Sequence, residues 1–485
     1  MVLHRRSFLA AGAALMLVPG RLRAQEARSE VAKEVAMFKS NRPAPENRKF
    51  RSAAVEAEIA RVSGKIADPE LAWLFANCYP NTLDTTVFMG QVEGQDDAFV
   101  ITGDIPCLWL RDSGAQVQPY MHLARQDEDL QRLMRGLIRR HARCVLIDPY
   151  ANAFMRDPAA RTSLSWSRGD QTEMKLGVAE RKWEVDSLCY VLRLAFNYWR
   201  ASGDETPYDA TWARAARLIV ATFKEQQRIA GPGPYRFQRQ STQPTETQLA
   251  GIGVPTRKTG LIHSSFRPSD DACTYPCNIP GNLFAVATLR ELAQMARGIL
   301  HDDGFAAECE ALADEVQAAV LKHGVMQLPD GRQVLAYETD GYGNHLFMDD
   351  ANVPSLLGLA YLGCLPRDYA LWRTTADAVW SEANPWFFKG RFAEGIGGPH
   401  IGEGQVWPMA IIMRALSSDS DDEIAACLKV LRNCHAGTGF MHEAFDKDDP
   451  AKFTRNWFAW ANGLFGELIV KLADERPHLL ERSYG

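Results

Sequence analysis

Residue types that hold sugars or move protons crowd into one short stretch. Within TGDIPCLWLRDSGAQVQPY, residues 102–120, Asp104, Trp109, Arg111 and Asp112 fall inside nine positions, and a helix-like pattern follows at once. Neither a core strand nor a solvated loop explains such a mixture. Carboxylates and a guanidinium fork can bond pairs of hydroxyls, and an indole can cover an apolar sugar face. Two further clusters could carry proton transfer. SDDAC sets Asp270 beside Asp271. Carboxyls that share a site do not both ionise easily, so one of the two is a candidate acid. GFMHEAF sets Glu443 after His442 in a Gly-aromatic loop, a candidate base. Glycoside hydrolysis needs this division, one carboxyl protonated and the other ionised.

Plainer readings stand beside these. Asp270 and Asp271 could cap a helix, Glu443 could be a solvated loop charge, and Arg111 with Asp112 could be a structural ion pair. DKDDP at 446–450 reads as a polar turn. GIGGPHIGEG, residues 395–404, resembles a phosphate-cradling loop, but no Lys-Ser/Thr follows it. Close backbone approach to a sugar is the better reading of those glycines. His345, Asp349, Asp350, His400 and His442 could be imagined as a metal set, yet none falls at H-x-x-x-H spacing. The residues therefore predict no metal and no cofactor.

Helices must position these loops. Apolar residues recur at three- and four-residue steps in LARQDEDLQRLMRGLIRRHARCVLI and in WEVDSLCYVLRLAFNYW. Segments starting near Asp112, Glu184, Pro280, Ala351, Gly404 and Trp457 are apolar on most sides and read as buried helices. More amphipathic segments follow at 126–146, 207–229, 303–322, 367–382 and 421–435, and 69–78 supplies a sixth. Six buried helices, each entered through a long polar-aromatic loop, predict an all-α (α/α)6 toroid. Short hairpins are expected at 85–101 and 325–337. An α-solenoid is the alternative, but its loops would be evenly short. In a toroid the six loops converge on one end of the central cavity.

The chain has 485 residues, a net charge of −6 and 46% hydrophobic residues. That balance gives no reason to expect nucleic acid or an anionic membrane as partner. Arg5-Arg6-Ser7-Phe8-Leu9 and the apolar run to Val18 read as a twin-arginine export signal. Cleavage after Ala24 would leave a polar lead-in over 25–50 and one catalytic domain over 51–485, periplasmic or otherwise exported and off the membrane. A monomer is the expected state. The ten cysteines form no paired C-x-x-C sets, and most sit in apolar helical patterns, so few or no disulfides are expected.

Several loops together carry a family resemblance. FVITGDIPCLWLRDSGAQVQPY, ERKWEVDSLCY, FRPSDDAC, GIGGPHIG and GFMHEAFDKDDPAKFTRNWFAWANGLFGELI resemble the motifs of glycoside hydrolase family 125, exo-α-1,6-mannosidases, over about residues 50–475. The resemblance implies an (α/α)6 fold, no metal, and hydrolysis with inversion. It implies that the Asp of SDDAC is the general acid and the Glu of MHE the general base. These map to Asp270, with Asp271 as substitute, and to Glu443. Asp104, Trp109, Arg111, Asp112, His400 and His442 would then bind a terminal mannose of an oligosaccharide or glycan. CTYPCNIPGN departs from the expected pattern at Cys277 and Gly281, which could alter packing beneath the acid. Two rival readings remain: a sugar isomerase or epimerase using His400 and His442, and a non-catalytic periplasmic glycan-binding protein. Mannose released from a disaccharide would discriminate against both.

Overall fold

Outer and inner helices begin differently, and the difference creates the site. Outer helices open on side-chain caps. Asp68 caps Pro69–Cys78, Asp127 caps Glu128–Ile147 and Asp209 caps Ala210–Gln226. Asp302 caps Asp303–His323 and Ser420 caps Asp421–Asn433. Each cap accepts from first-turn N–H groups and contributes about 1 kcal/mol. The remaining outer helix, Ala370–Val379, has no such cap.

Inner helices Leu110–Val117, Val185–Ser202, Pro408–Ser417 and Ala459–Glu475 also lack side-chain caps. Trp109, Glu184, Trp407 and Phe458 hold their cap positions. Trp109, Trp407 and Phe458 line one cavity, and Glu184 bonds Arg111 of a neighbouring helix as well as the Ser187 hydroxyl of its own. Only Ile279–Gly298 among the inner set is capped, by Asn278. That cap also answers the capping reading of Asp270 and Asp271, which lie well upstream of the helix.

The computed structural model describes residues 38–485. The expected signal over 1–24 and most of the lead-in lie outside the described residues. Asn41 to Gly485 form one compact unit. Residues ahead of 51 pack into this unit: Arg42 pairs with Asp84 at 2.7 Å, and the Phe50 N–H bonds the Leu83 carbonyl at 3.0 Å. Among the described residues, no helix is long and apolar enough to cross a membrane.

The architecture is an (α/α)6 toroid. Inner helices are buried on most sides: Leu283, Phe284, Leu289 and Leu292 of one, and Leu464, Phe465, Leu468 and Ile469 of another, belong to the central core. Each such side chain contributes about 1.5–3 kcal/mol on burial. The inner ring departs from the expected pattern in two places. Leu110–Val117 gives way at Pro119 to a 3-10 segment, Gln118–Gln126. The fourth inner element, expected from Ala351, is only a 3-10 turn, Leu357–Leu359. Pro354 has no N–H to donate, and the Asp349 carboxylate takes the N–H groups of Leu356 and Leu357 at 2.7 and 3.0 Å.

Hairpins stand where expected, Val87–Val92 with Gln95–Val100 and Val325–Gln327 with Gln333–Leu335. Further short antiparallel sheets tie the loops together just before the inner helices. Leu108–Trp109 pairs with Ala153–Phe154, which pairs with Val178–Glu180. Cys277–Asn278 pairs with Glu338–Thr339, and Gln405–Val406 with Ala444–Asp446. A sheet residue therefore leads straight into a helix, and loop residues at that junction inherit the rigidity of both. The DKDDP segment forms the turn of a hairpin between Ala444–Asp446 and Asp449–Thr454. Gly281 marks a close crossing of inner helices, since a Cβ there would lie 2.5 Å from Val185 Cγ1.

Candidate active site

Residues from five loops and the helices they enter meet in one cavity of about 430 Å3 of atom-free space, its mouth included. Trp109, Arg111, Asp112, Asp270, His400 and Glu443 all line it, with Trp407, Phe458, Trp460 and Arg455. Asp104 does not. It stands half exposed at the side and accepts from Arg455 Nη1 at 2.8 Å. His442 is corrected more fully. It is fully buried, stacks on Phe453 with centroids 3.8 Å apart, and its Nδ1 lies 2.9 Å from the Arg455 carbonyl. It supports the backbone of Arg455 and does not reach the cavity.

Arg111 is the electrostatic centre. It sits in the first turn of Leu110–Val117 and is almost wholly buried. Nη1 donates to Glu184 at 2.6 Å and reaches Asp186 at 3.4 Å, Nη2 donates to Asp270 at 2.9 Å, and Nε lies 3.5 Å from Asp112. The Arg111–Asp112 contact is thus one edge of a five-membered charge cluster. One guanidinium faces four carboxyls, so the cluster must hold protons. Burial raises Asp112 to about 6 against the pull of Arg111, with the Asp270 charge adding to the rise. Burial likewise raises Asp186 to about 6.

Asp270 and Glu184 behave as a pair. Asn152 Nδ2 donates toward both, at 3.3 Å to Glu184 and 3.4 Å to Asp270. Burial pushes Glu184 well above the carboxylate range, and the neighbouring Asp270 charge adds to it. At Asp270 burial is outweighed by Arg111, by a hydrogen bond from Glu184 and by Lys182, which together hold it low. The opposite directions make the two a coupled pair in which a proton is favoured on Glu184 over Asp270.

The two residues of the SDDAC doublet point different ways. Asp270 has φ +64°, a left-handed conformation uncommon outside glycine, held by the Arg267 carbonyl accepting its N–H at 2.9 Å and by Lys182 Nζ bonding its carbonyl at 2.7 Å. Its side chain keeps 23% exposure, into the cavity. Asp271 is buried behind the lining and accepts from His400 Nδ1 at 3.2 Å. Burial opposes a charge on His400, but Asp271, with Asp270 and Glu443 nearby, raises it to about 9, so it is an imidazolium at neutral pH.

Glu443, also on the lining, is held by donors. Arg455 Nε lies 3.2 Å from Oε1, and Thr454 Oγ1 donates to Oε2 at 3.2 Å. Around the lining, Thr102 Oγ1, Trp109 Nε1, Asp112 Oδ2, Ser269 Oγ and Trp407 Nε1 are buried with no protein partner. Orphaned polar atoms are uncommon in folded proteins, and a cluster of them along one cavity offers partners to a polar ligand or to water. Three of the 395–404 glycines, Gly395, Gly397 and Gly398, are required by the protein's own packing. A Cβ on Gly397 would strike the Gln405 carbonyl, and one on Gly398 would lie 3.2 Å from the Asp350 carboxyl. Among the described residues, no group of three or more His, Cys, Asp or Glu could hold a metal ion.

Sequence reasoning missed Glu184, Asp186, Lys182, Asn152 and Arg455 as site residues. The first three lie in the ERKWEVDSLCY motif and Arg455 in the last one, so a signal was present for all but Asn152.

Comparison with known proteins agrees with this geometry. A family model described as metal-independent alpha-mannosidase (GH125) matches residues 68–470. The chain is 42% identical over 460 residues to the meiotically up-regulated gene 157 protein of Schizosaccharomyces pombe, covering 91% of this chain and 90% of that one. It is similar, at 37% identity and a TM-score of 0.84, to a solved Streptococcus pneumoniae structure over 88% of this chain and 100% of that one. That structure is described as a metal-independent alpha mannosidase in a non-productive complex with α-1,6-mannobiose.

Proposed function

Because the chain belongs to the metal-independent α-mannosidase family GH125, we propose that it releases terminal mannose from α-1,6-linked mannosides with inversion at the anomeric carbon. One observation carries the reading: Asp270 and Glu443, from separate loops, line the same cavity, each on its own set of partners. Trp407, Trp460 and Phe458 line it with them, which suits the end of a sugar chain. The α-1,6-mannobiose held by the Streptococcus relative supports the linkage.

The mannose enters with its hydroxyls toward Arg111, Asp112, Trp109 and His400. The orphaned Trp109 and Trp407 N–H groups and the Thr102 hydroxyl offer further partners. Asp270 protonates the departing glycosidic oxygen. Glu443 takes a proton from a water on the opposite face, and that water attacks the anomeric carbon. Asp270 faces the sugar from a cluster that already holds its proton next door, on Glu184. As sugar excludes water and negative charge on Asp270 becomes costlier, the shared proton moves to Asp270 and on to the leaving oxygen. Asp271 fixes His400 as a cation, and His442 fixes Arg455 behind Glu443.

The test is turnover of α-1,6-mannobiose. Glu443→Gln and Asp270→Asn should each lower kcat by about 10²–10⁴-fold while the protein stays folded. Near wild-type turnover in either variant would remove that residue from the mechanism. Fructose or glucose formed from free mannose would favour the isomerase reading instead. Arg5 and Arg6 support an exported, periplasmic site of action. Changing both to Lys should leave the protein in the cytoplasmic fraction, and unchanged export would refute twin-arginine targeting.

A further inference from the structure

A second cavity, of about 950 Å3 of atom-free space with its opening, lies in the segment after the outer helix Ala210–Gln226. None of its lining residues lines the catalytic cavity. Arg228, Arg257 and Lys258 line it, and no Asp or Glu does. That is an unusual concentration of one sign in a chain of net charge −6.

Arg228 is the anomaly. Its side chain is more than nine-tenths buried, and its backbone is left-handed with φ +55°. Nε donates to Gln226 Oε1 at 3.3 Å and Nη1 to the Ile252 carbonyl at 3.1 Å, both neutral acceptors. Nη2 is buried with no partner at all. Among the described residues every other buried arginine, Arg111, Arg181 and Arg267, pairs with a carboxylate at 2.7 Å or less. A buried charge without a counter-charge is costly, and removing water from it does not remove the need for an anion. Burial, with the Arg236 charge adding to it, pulls the Arg228 guanidinium below its ordinary range.

The two exposed cations complete the arrangement. Among the described residues, neither Arg257 nor Lys258 has a carboxylate within ion-pair distance; Lys258 Nζ bonds only the Ile229 carbonyl. Apolar residues share the lining, with Leu249, 63% exposed, and with Val254 and Pro255. We propose that this cavity binds a small phosphate monoester, its dianionic head on Arg228, Arg257 and Lys258 and its organic body against Leu249 and Val254. A phosphate matches three cations better than a monoanionic carboxylate does, and guanidinium forks bond its oxygens in pairs.

The probe is phenyl phosphate, with inorganic phosphate and phenol as its separated halves, titrated calorimetrically. Saturable binding with a Kd below about 1 mM is expected for phenyl phosphate, weaker binding for inorganic phosphate, and none for phenol. Glucose 6-phosphate and dihexanoyl phosphatidic acid then tell whether the natural body is a sugar or a lipid. The double variant Arg257→Ser, Lys258→Ser, both surface positions, should weaken phenyl phosphate by about tenfold or more with an unchanged thermal midpoint. Arg228→Met should weaken it further, or abolish it. Glu443→Gln should bind like wild type, which separates this cavity from the catalytic one. Absence of saturable binding, binding of phenol as tight as phenyl phosphate, or unchanged affinity in the double variant would overturn the proposal.

Discussion

Asp112→Asn should make the protein more stable as pH rises while removing its activity. Asp112 sits in the first turn of an inner helix, buried, with Arg111 Nε at 3.5 Å and its Oδ2 without a hydrogen-bond partner. Burial, moderated by Arg111, raises it from 3.8 to about 6. The folded state therefore binds a proton that the unfolded chain gives up between those values. Wild-type stability from this group is full below about 3.8 and lost as pH climbs through about 6. At 1.36 kcal/mol per pH unit, the loss is about 1 kcal/mol at about pH 4.5 and about 3 kcal/mol at about pH 7.5. Asn does not titrate, so the variant should gain about 2 kcal/mol on wild type between those two conditions. Any fixed cost of the new amide cancels in that difference. Urea unfolding at both pH values measures it, and turnover of α-1,6-mannobiose should fall by at least about 10²-fold, because the amide replaces one of the two acceptor oxygens with a donor. A stability difference that stays flat, or that favours wild type more at the higher pH, would refute the assignment of a raised carboxyl at this position.

Glu184→Gln should spare hydrolysis of an aryl mannoside whose leaving group needs no proton, while lowering turnover of α-1,6-mannobiose by about 10²-fold. Equal losses on both substrates, read from kcat, would make Glu184 merely structural. The His400 ring should titrate near 9 by NMR, and Asp271→Asn should bring it down. A raised imidazole stabilises fully below about 6.5 and loses that contribution as pH rises through about 9, so Asp271→Asn should cost about 2 kcal/mol at about pH 6 and little at about pH 10. A wild-type midpoint at or below 6.5 would contradict the pairing. Gly397→Ala should destabilise by about 2 kcal/mol or more in urea, since its Cβ would meet the Gln405 carbonyl and Phe388; an unchanged midpoint would mean the strands part easily.

The helical frame could be read from periodicity because burial leaves a 3.6-residue imprint, and inner and outer helices differ in how far that imprint wraps round. The fourth inner element defeated that reading. Its apolar run looked helical, but Pro354 and the Asp349 cap decide local backbone in ways a hydrophobic pattern does not record. Candidate residues in the loops were recognisable by type, yet their orientation was not. His442 and Glu443 are neighbours just ahead of the strand Ala444–Asp446, yet they face different ways. One reaches the cavity and the other packs on Phe453. The Asp270–Asp271 doublet divides similarly, one carboxyl to the cavity and one to His400. Glu184 was missed because its importance lies in a contact to Arg111 that spans 73 positions, and only folding brings the two together. Arg455, 351 positions from Asp104, is the same case.

Proton NMR of α-1,6-mannobiose hydrolysis, followed from the first minute, tests inversion by the Asp270–Glu443 pair. The released mannose should be the β-anomer at first and reach its α/β equilibrium only later by mutarotation, and Glu443→Gln should release none. Initial α-mannose, or no mannose from the wild-type protein, would contradict the account.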